Sequence, residues 1–114
     1  MITLMQVYRV NQPYVAEFER EYAATGEFGG MFVRHGCGSY ALLRDKDEPR
    51  RYLVVHTWPD EEAFGRAQQS AAQESYLFQH RSRGWIRAVD DPDPAESSMI
   101  PGKPNDRYEV LSEV

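Results

Sequence analysis

A histidine and a tryptophan two residues apart, His56 and Trp58, lie in the run Tyr52-Leu53-Val54-Val55-His56-Thr57-Trp58. The run is rich in β-branched and aromatic residues and is stopped by Pro59, so it reads as a strand. Alternate residues of a strand share a face, which puts the imidazole and the indole on the same side of the sheet. Imidazole titrates near neutrality and suits proton chemistry. Indole offers an N–H and a flat surface on which an aromatic ring can lie. The pair therefore suggests a pocket for a small aromatic molecule, although each residue has a packing alternative. Trp58 can close the end of a hairpin core, and His56 can spend its ring on a backbone carbonyl.

The remaining reactive side chains are scattered. Tyr40 shares a strand face with Leu42, where it is either a pocket hydroxyl or a core aromatic. His35 precedes the Gly36-Cys37-Gly38 turn and His80 sits beside Arg81 and Arg83, settings that read as surface. Cys37, the single cysteine, has no disulfide partner and no histidine–carboxylate set beside it, so it reads as a small residue filling a turn. No His, Cys, Asp and Glu set has metal-ligand spacing, and no metal site is expected.

Several elements must position the pair. Tyr40 to Leu43, a charged loop from Asp45 to Arg50, and Tyr52 to Trp58 form a hairpin. Asp60 stands at the N-cap of the following helix, with Glu61 and Glu62 in its first turn, where the helix dipole favours acids. The inner stripe of that helix is Phe64, Ala67, Ala71, Ser75 and Phe78. Alanine buries little area, so the stripe means either close packing on the sheet or room for a ligand. Upstream, Ile2 to Val10 is a strand, and Pro13 to Gly26 carries an amphipathic helix with Tyr14, Val15, Phe18 and Tyr22 on one side. Glu27 to Arg34 is a short helix or an ordered loop. Downstream, Trp85 to Val89 reads as a fourth strand. Residues 91–114 form a Pro-rich tail outside the domain of residues 1–90, and within it Tyr108 to Leu111 adds an edge strand or packs on a partner subunit.

The order strand, helix, strand, strand, helix, strand is the ferredoxin-like α+β arrangement, a four-stranded antiparallel sheet with helices on one face. The strands carry apolar residues on both faces, Leu53 and Val55 opposite Tyr52 and Val54, so the helix-free face calls for a partner and a homodimer is expected. A net charge of −5 argues against nucleic acid as that partner. With 41% hydrophobic and 27% charged residues, and no apolar run of membrane-spanning length or secretory leader, the chain reads as a globular cytoplasmic protein.

Leu42-Leu43-Arg44-Asp45, the Pro-Arg-Arg-Tyr of the hairpin return and Trp58-Pro59-Asp60-Glu61-Glu62-Ala63-Phe64 together resemble the antibiotic biosynthesis monooxygenase family of dimeric α+β barrels. The resemblance covers Met5 to Val89. It implies a cofactor-independent oxidation of a phenol or hydroquinone, in which the substrate itself supplies electrons to dioxygen, and it points to Trp58 as an active-site residue. Val54 and Phe64 stand where the quinone-forming members carry an asparagine and a tyrosine, so the resemblance leaves the polar work to His56, Tyr40, His35 or His80. Similar barrels also bind or degrade haem, for which His80 is the candidate ligand, or act as polyketide-cyclase-like binding proteins without oxidation.

Overall fold

The computed structural model describes residues 1–86 and 108–114. The first strand, β1, runs Ile2–Arg9. A 3-10 turn over Gln12–Tyr14 follows, started by Pro13, whose fixed φ suits the first turn of a helix. Helix α1 is shorter than the pattern suggests, Val15–Glu21, and the amide of Tyr22 closes its last turn on Phe18. Gly26 does not end this helix but caps the start of α2, Glu27–Arg34. The chain must fold back tightly between the two helices. A Cβ on Gly29 would lie 2.0 Å from the Ala23 carbonyl oxygen, so only glycine lets α2 approach that turn. The segment left open as helix or loop is thus a helix, and its placement aims Phe32 at the sheet.

Strands β2 (Ser39–Asp45) and β3 (Arg51–Trp58) form the expected hairpin. Buried Asp45 fastens it: one carboxylate oxygen accepts from the amides of Asp47 and Glu48, and the other meets Arg51 at 2.8 Å. Asp60 caps α3, Glu61–Glu74, by accepting the Ala63 amide at 2.7 Å. At Ser75 the helix breaks, and α4 (Tyr76–Arg81) completes the stripe with buried Phe78.

The sheet is antiparallel throughout, in the order β1-β3-β2-β4, with helices packed on it in an α+β ferredoxin-like fold. Its fourth strand is β4, Tyr108–Glu113, paired with β2 of the same chain. This is the edge strand anticipated at Tyr108–Leu111. It is tied to the helices as well, through the Ala24 amide on the Ser112 hydroxyl at 2.9 Å. Of the strand expected at Trp85–Val89, Ile86 makes a single bridge with Val10, and the remainder from Arg87 lies outside the described residues, as does the Pro-rich segment of 90–105.

The register separates the two faces. Rows Leu4–His56–Tyr40, Gln6–Val54–Leu42 and Ile2–Trp58 face the helices. Phe18, Tyr22, Phe32 and Phe78 close over that face to make the core. The opposite face carries Met5–Val55–Ala41 and Val7–Leu53–Leu43–Val110, and among these Met5 and Val110 are half exposed.

Candidate active site

His56 and Trp58 do share the helix-facing side of β3, and neither side chain has any solvent exposure. Indole Nε1 is always a donor, and it lies 2.6 Å from His56 Nδ1. That contact fixes the tautomer: Nδ1 accepts, so the neutral ring carries its proton on Nε2. Burial lowers the His56 pKa to about 4, which keeps the imidazole neutral at physiological pH. Nε2 is buried and finds no hydrogen-bond partner among the described residues.

Three rings surround this pair. Phe32 of α2 stacks on His56 with centroids 4.8 Å apart and planes within 13°. Tyr40 lies on the neighbouring strand with its centroid 6.5 Å from His56, and its hydroxyl is spent on the Tyr22 carbonyl at 2.6 Å. Burial pushes that phenol well above its ordinary pKa, so Tyr40 is a neutral core aromatic. Phe64, in the first turn of α3, touches both members of the pair, 5.8 Å from the His56 centroid and 5.6 Å from that of Trp58. Phe64 is only partly buried and stands on the solvent side of the cage. Val54 is fully buried two residues along β3 and extends the apolar floor.

Of the two readings of the alanine stripe, close packing on the sheet is the one the structure has, and no room for a ligand is left beneath Ala67 and Ala71. Ala67 and Ala71 are buried, and Phe32 and Phe64 fill the layer above His56. Phe32 belongs to the site although the sequence pattern did not single it out, because its approach depends on how α2 packs and not on its own neighbours.

The other two histidines lie elsewhere. His35 caps the end of α2 and its Nε2 meets Glu74 of α3 at 2.8 Å, a contact that also draws the exposed Glu74 carboxyl below its ordinary pKa. His80 is exposed on α4, in a recess of about 240 Å3 lined with Tyr76, Gln79 and Arg83. Among the described residues that recess offers no apolar slot for a porphyrin, and they do not fit a haem on His80. No group of three or more His, Cys, Asp and Glu among the described residues is arranged to hold a metal, and no helix among them is long and apolar enough to cross a membrane.

A large cleft opens at the other end of the same sheet face, about 13 Å along β3 from His56 at the usual rise per residue. It has a volume of about 990 Å3 and lies between the first helical segment and the β2–β3 hairpin. On its wall the Tyr52 hydroxyl donates to the Glu19 carboxylate, and Arg44 bridges Glu19 and Glu109. Burial, reinforced by Glu19, raises the Tyr52 phenol above its ordinary pKa. The hairpin was legible as charged, but the cleft was not, since its far wall comes from α1.

Three comparisons bear on what this arrangement does. No solved structure gives a significant match. A protein of Streptomyces nogalater named deoxynogalonate monooxygenase is 40% identical over 55 residues, a stretch that spans 46% of this chain and 42% of that protein. The model of the antibiotic biosynthesis monooxygenase family matches residues 1–77, which include β1, both helices of the first half, the hairpin, and α3 with its Asp60 cap. On that match, and with the ferredoxin-like sheet that carries it, the chain belongs to the antibiotic biosynthesis monooxygenase family.

Proposed function

We propose that this protein is a cofactor-independent monooxygenase acting on an electron-rich phenol or hydroquinone, with His56 holding the substrate oxygen. Family membership and the partial likeness to a named monooxygenase support the reaction class. The observation that carries the site is the buried, unpartnered Nε2–H of His56 inside an aromatic cage. Such a donor costs roughly 1–3 kcal/mol when left unpaired, whereas a hydrogen bond to a charged acceptor contributes about 1.5–3 kcal/mol. A phenolate oxygen satisfies it better than a neutral one.

The hydrogen bond from Trp58 supports a donor role for His56 rather than that of a base. Nδ1 is occupied by the Trp58 N–H and Nε2 already bears a proton, so the ring has no free lone pair to accept one. By stabilising the anion, Nε2–H favours the ionised phenol, which is the electron-rich form that reduces dioxygen. The overall reaction is phenol plus dioxygen giving quinone plus water. One oxygen atom enters the ring carbon, and the other leaves with the ring hydrogen and the phenolic hydrogen. Trp58 acts as a positioning residue that sets the tautomer, and Tyr40, Val54 and Phe32 wall the ring in. Phe64, the partly exposed member of the cage, is the ring that would have to move for substrate to reach Nε2.

The helix-free face supports assembly as a homodimer. Two cross-strand rows, Met5–Val55–Ala41 and Val7–Leu53–Leu43–Val110, present a contiguous apolar surface that a second copy of the sheet would cover.

Oxygen consumption with a naphthol or an anthrone as substrate tests the reading. Wild-type protein should consume one dioxygen per quinone formed, and His56→Ala should lose at least tenfold in rate while keeping its fold by circular dichroism. Undiminished oxygen uptake in His56→Ala removes His56 from the chemistry. Ligand binding with no oxygen uptake in the wild type would mean a non-oxidative binding protein instead.

A further inference from the structure

The cleft beside the hairpin is charged in an uneven way. Three arginines near it are committed: Arg9 to Glu48 at 3.1 Å, Arg44 to Glu19 and Glu109, and Arg51 to Asp45 at 2.8 Å. Arg44 is shared by both carboxylates on the Tyr52 side, which leaves that wall one net negative charge, and a cationic ligand would have to compete with Arg44 for them. Lys46 and Arg50 also line the cleft, are exposed, and form no ion pair with a described residue. Arg50 further sits at φ 75°, in the left-handed region where glycine would be at ease and an arginine is strained. Val15, Pro49 and the Tyr52 ring supply apolar wall, and the volume is in the range of small-molecule sites.

We infer that this cleft binds a flat apolar anion, an aromatic carboxylate, with its ring against Val15, Pro49 and Tyr52 and its carboxylate on Lys46 and Arg50. Guanidinium matches a carboxylate through two parallel N–H donors, and the ammonium of Lys46 adds a second point charge. The site is separate from the His56 cage, since neither His56 nor Trp58 lines the cleft.

Calorimetric titration of the whole chain with 2-naphthoate tests this, with 2-naphthamide, which has no phenol for the His56 cage, as ring without charge and inorganic phosphate as charge without ring. Naphthoate should bind at least fivefold more tightly than either comparator. Arg50→Gly and Lys46→Ala should each weaken it at least fivefold, Arg50→Lys should retain most of the affinity, and 0.5 M salt should lower it. Arg50→Gly should melt no lower than wild type, because glycine relieves the strained φ, so its loss of binding cannot be ascribed to misfolding. His56→Ala should leave naphthoate affinity unchanged, which keeps this test apart from that of the oxygenase site. Equal binding of naphthamide and naphthoate, full affinity in the Lys46→Ala/Arg50→Gly double variant, or a loss that follows His56→Ala would each overturn the assignment.

Discussion

Replacing His56 with leucine should flatten one part of the dependence of stability on pH. Burial lowers the folded-state pKa of His56 from 6.5 to about 4, so between those values the unfolded chain holds a proton that the folded chain does not. Stability therefore rises with pH across this window, by up to about 1.4 kcal/mol per pH unit from this group. Across the window the contribution is about 3 kcal/mol, a large share of a typical 5–15 kcal/mol total. It is fully present above pH 6.5 and is lost progressively as the pH falls to about 4. Urea denaturation at half-unit pH steps for wild type and His56→Leu measures it, and subtracting the two curves cancels the carboxylates that titrate nearby. The leucine variant also leaves the Trp58 N–H unpaired, but that cost is independent of pH and appears only as an offset. A difference curve that is flat from pH 4 to 6.5 would refute a buried neutral imidazole.

Trp58→Phe removes the N–H that fixes the His56 tautomer; oxygen uptake should fall at least tenfold while the fold survives, and an unaltered rate would exclude Trp58 as the positioning residue. Phe64→Ala deletes a half-buried ring, which should cost about 2 kcal/mol of stability, below the 3–5 of a fully buried phenylalanine. If Phe64 covers the cage, the same variant should consume oxygen severalfold faster at low substrate, and slower uptake would contradict that role. Asp45→Asn breaks a buried ion pair and weakens the turn amides held by Asp45, and thermal or urea unfolding should register a loss of about 3 kcal/mol. Val55→Glu puts a charge in the middle of the helix-free face; sedimentation should find wild-type dimers and variant monomers, and a wild type that is monomeric at tens of micromolar would exclude the sheet-to-sheet dimer.

Features fixed by near neighbours in sequence were the ones that could be read from it. The β2–β3 hairpin, the Asp60 cap, and the shared face of His56 and Trp58 each depend on a few consecutive residues, and all three appear in the structure. The hydrogen bond between the two rings follows from that shared face, yet its direction, and with it the tautomer, required the rotamers. Helix ends were less legible: Tyr22 and Ser75 interrupt patterns that are periodic on paper, because the chain turns there to stack α2 and α4 on the core. The alanine stripe was ambiguous for a plain reason. Whether space lies under Ala67 and Ala71 is decided by Phe32, some 35 residues away, and by how closely Gly29 lets α2 approach. The cleft was invisible for the same cause, being made where α1 meets a hairpin whose loop reads as solvated charge.

The state of the His56 ring can be observed directly in a long-range proton–nitrogen correlation spectrum of the labelled protein at pH 7, recorded with and without a phenolic ligand. A pyridine-like Nδ1 and a protonated Nε2 are expected in the free protein, with the Nε2 proton moving downfield when the ligand oxygen takes its hydrogen bond. A protonated Nδ1, a charged ring at pH 6, or an Nε2–H signal that ignores saturating ligand would contradict the assignment of His56 as the donor that holds the substrate.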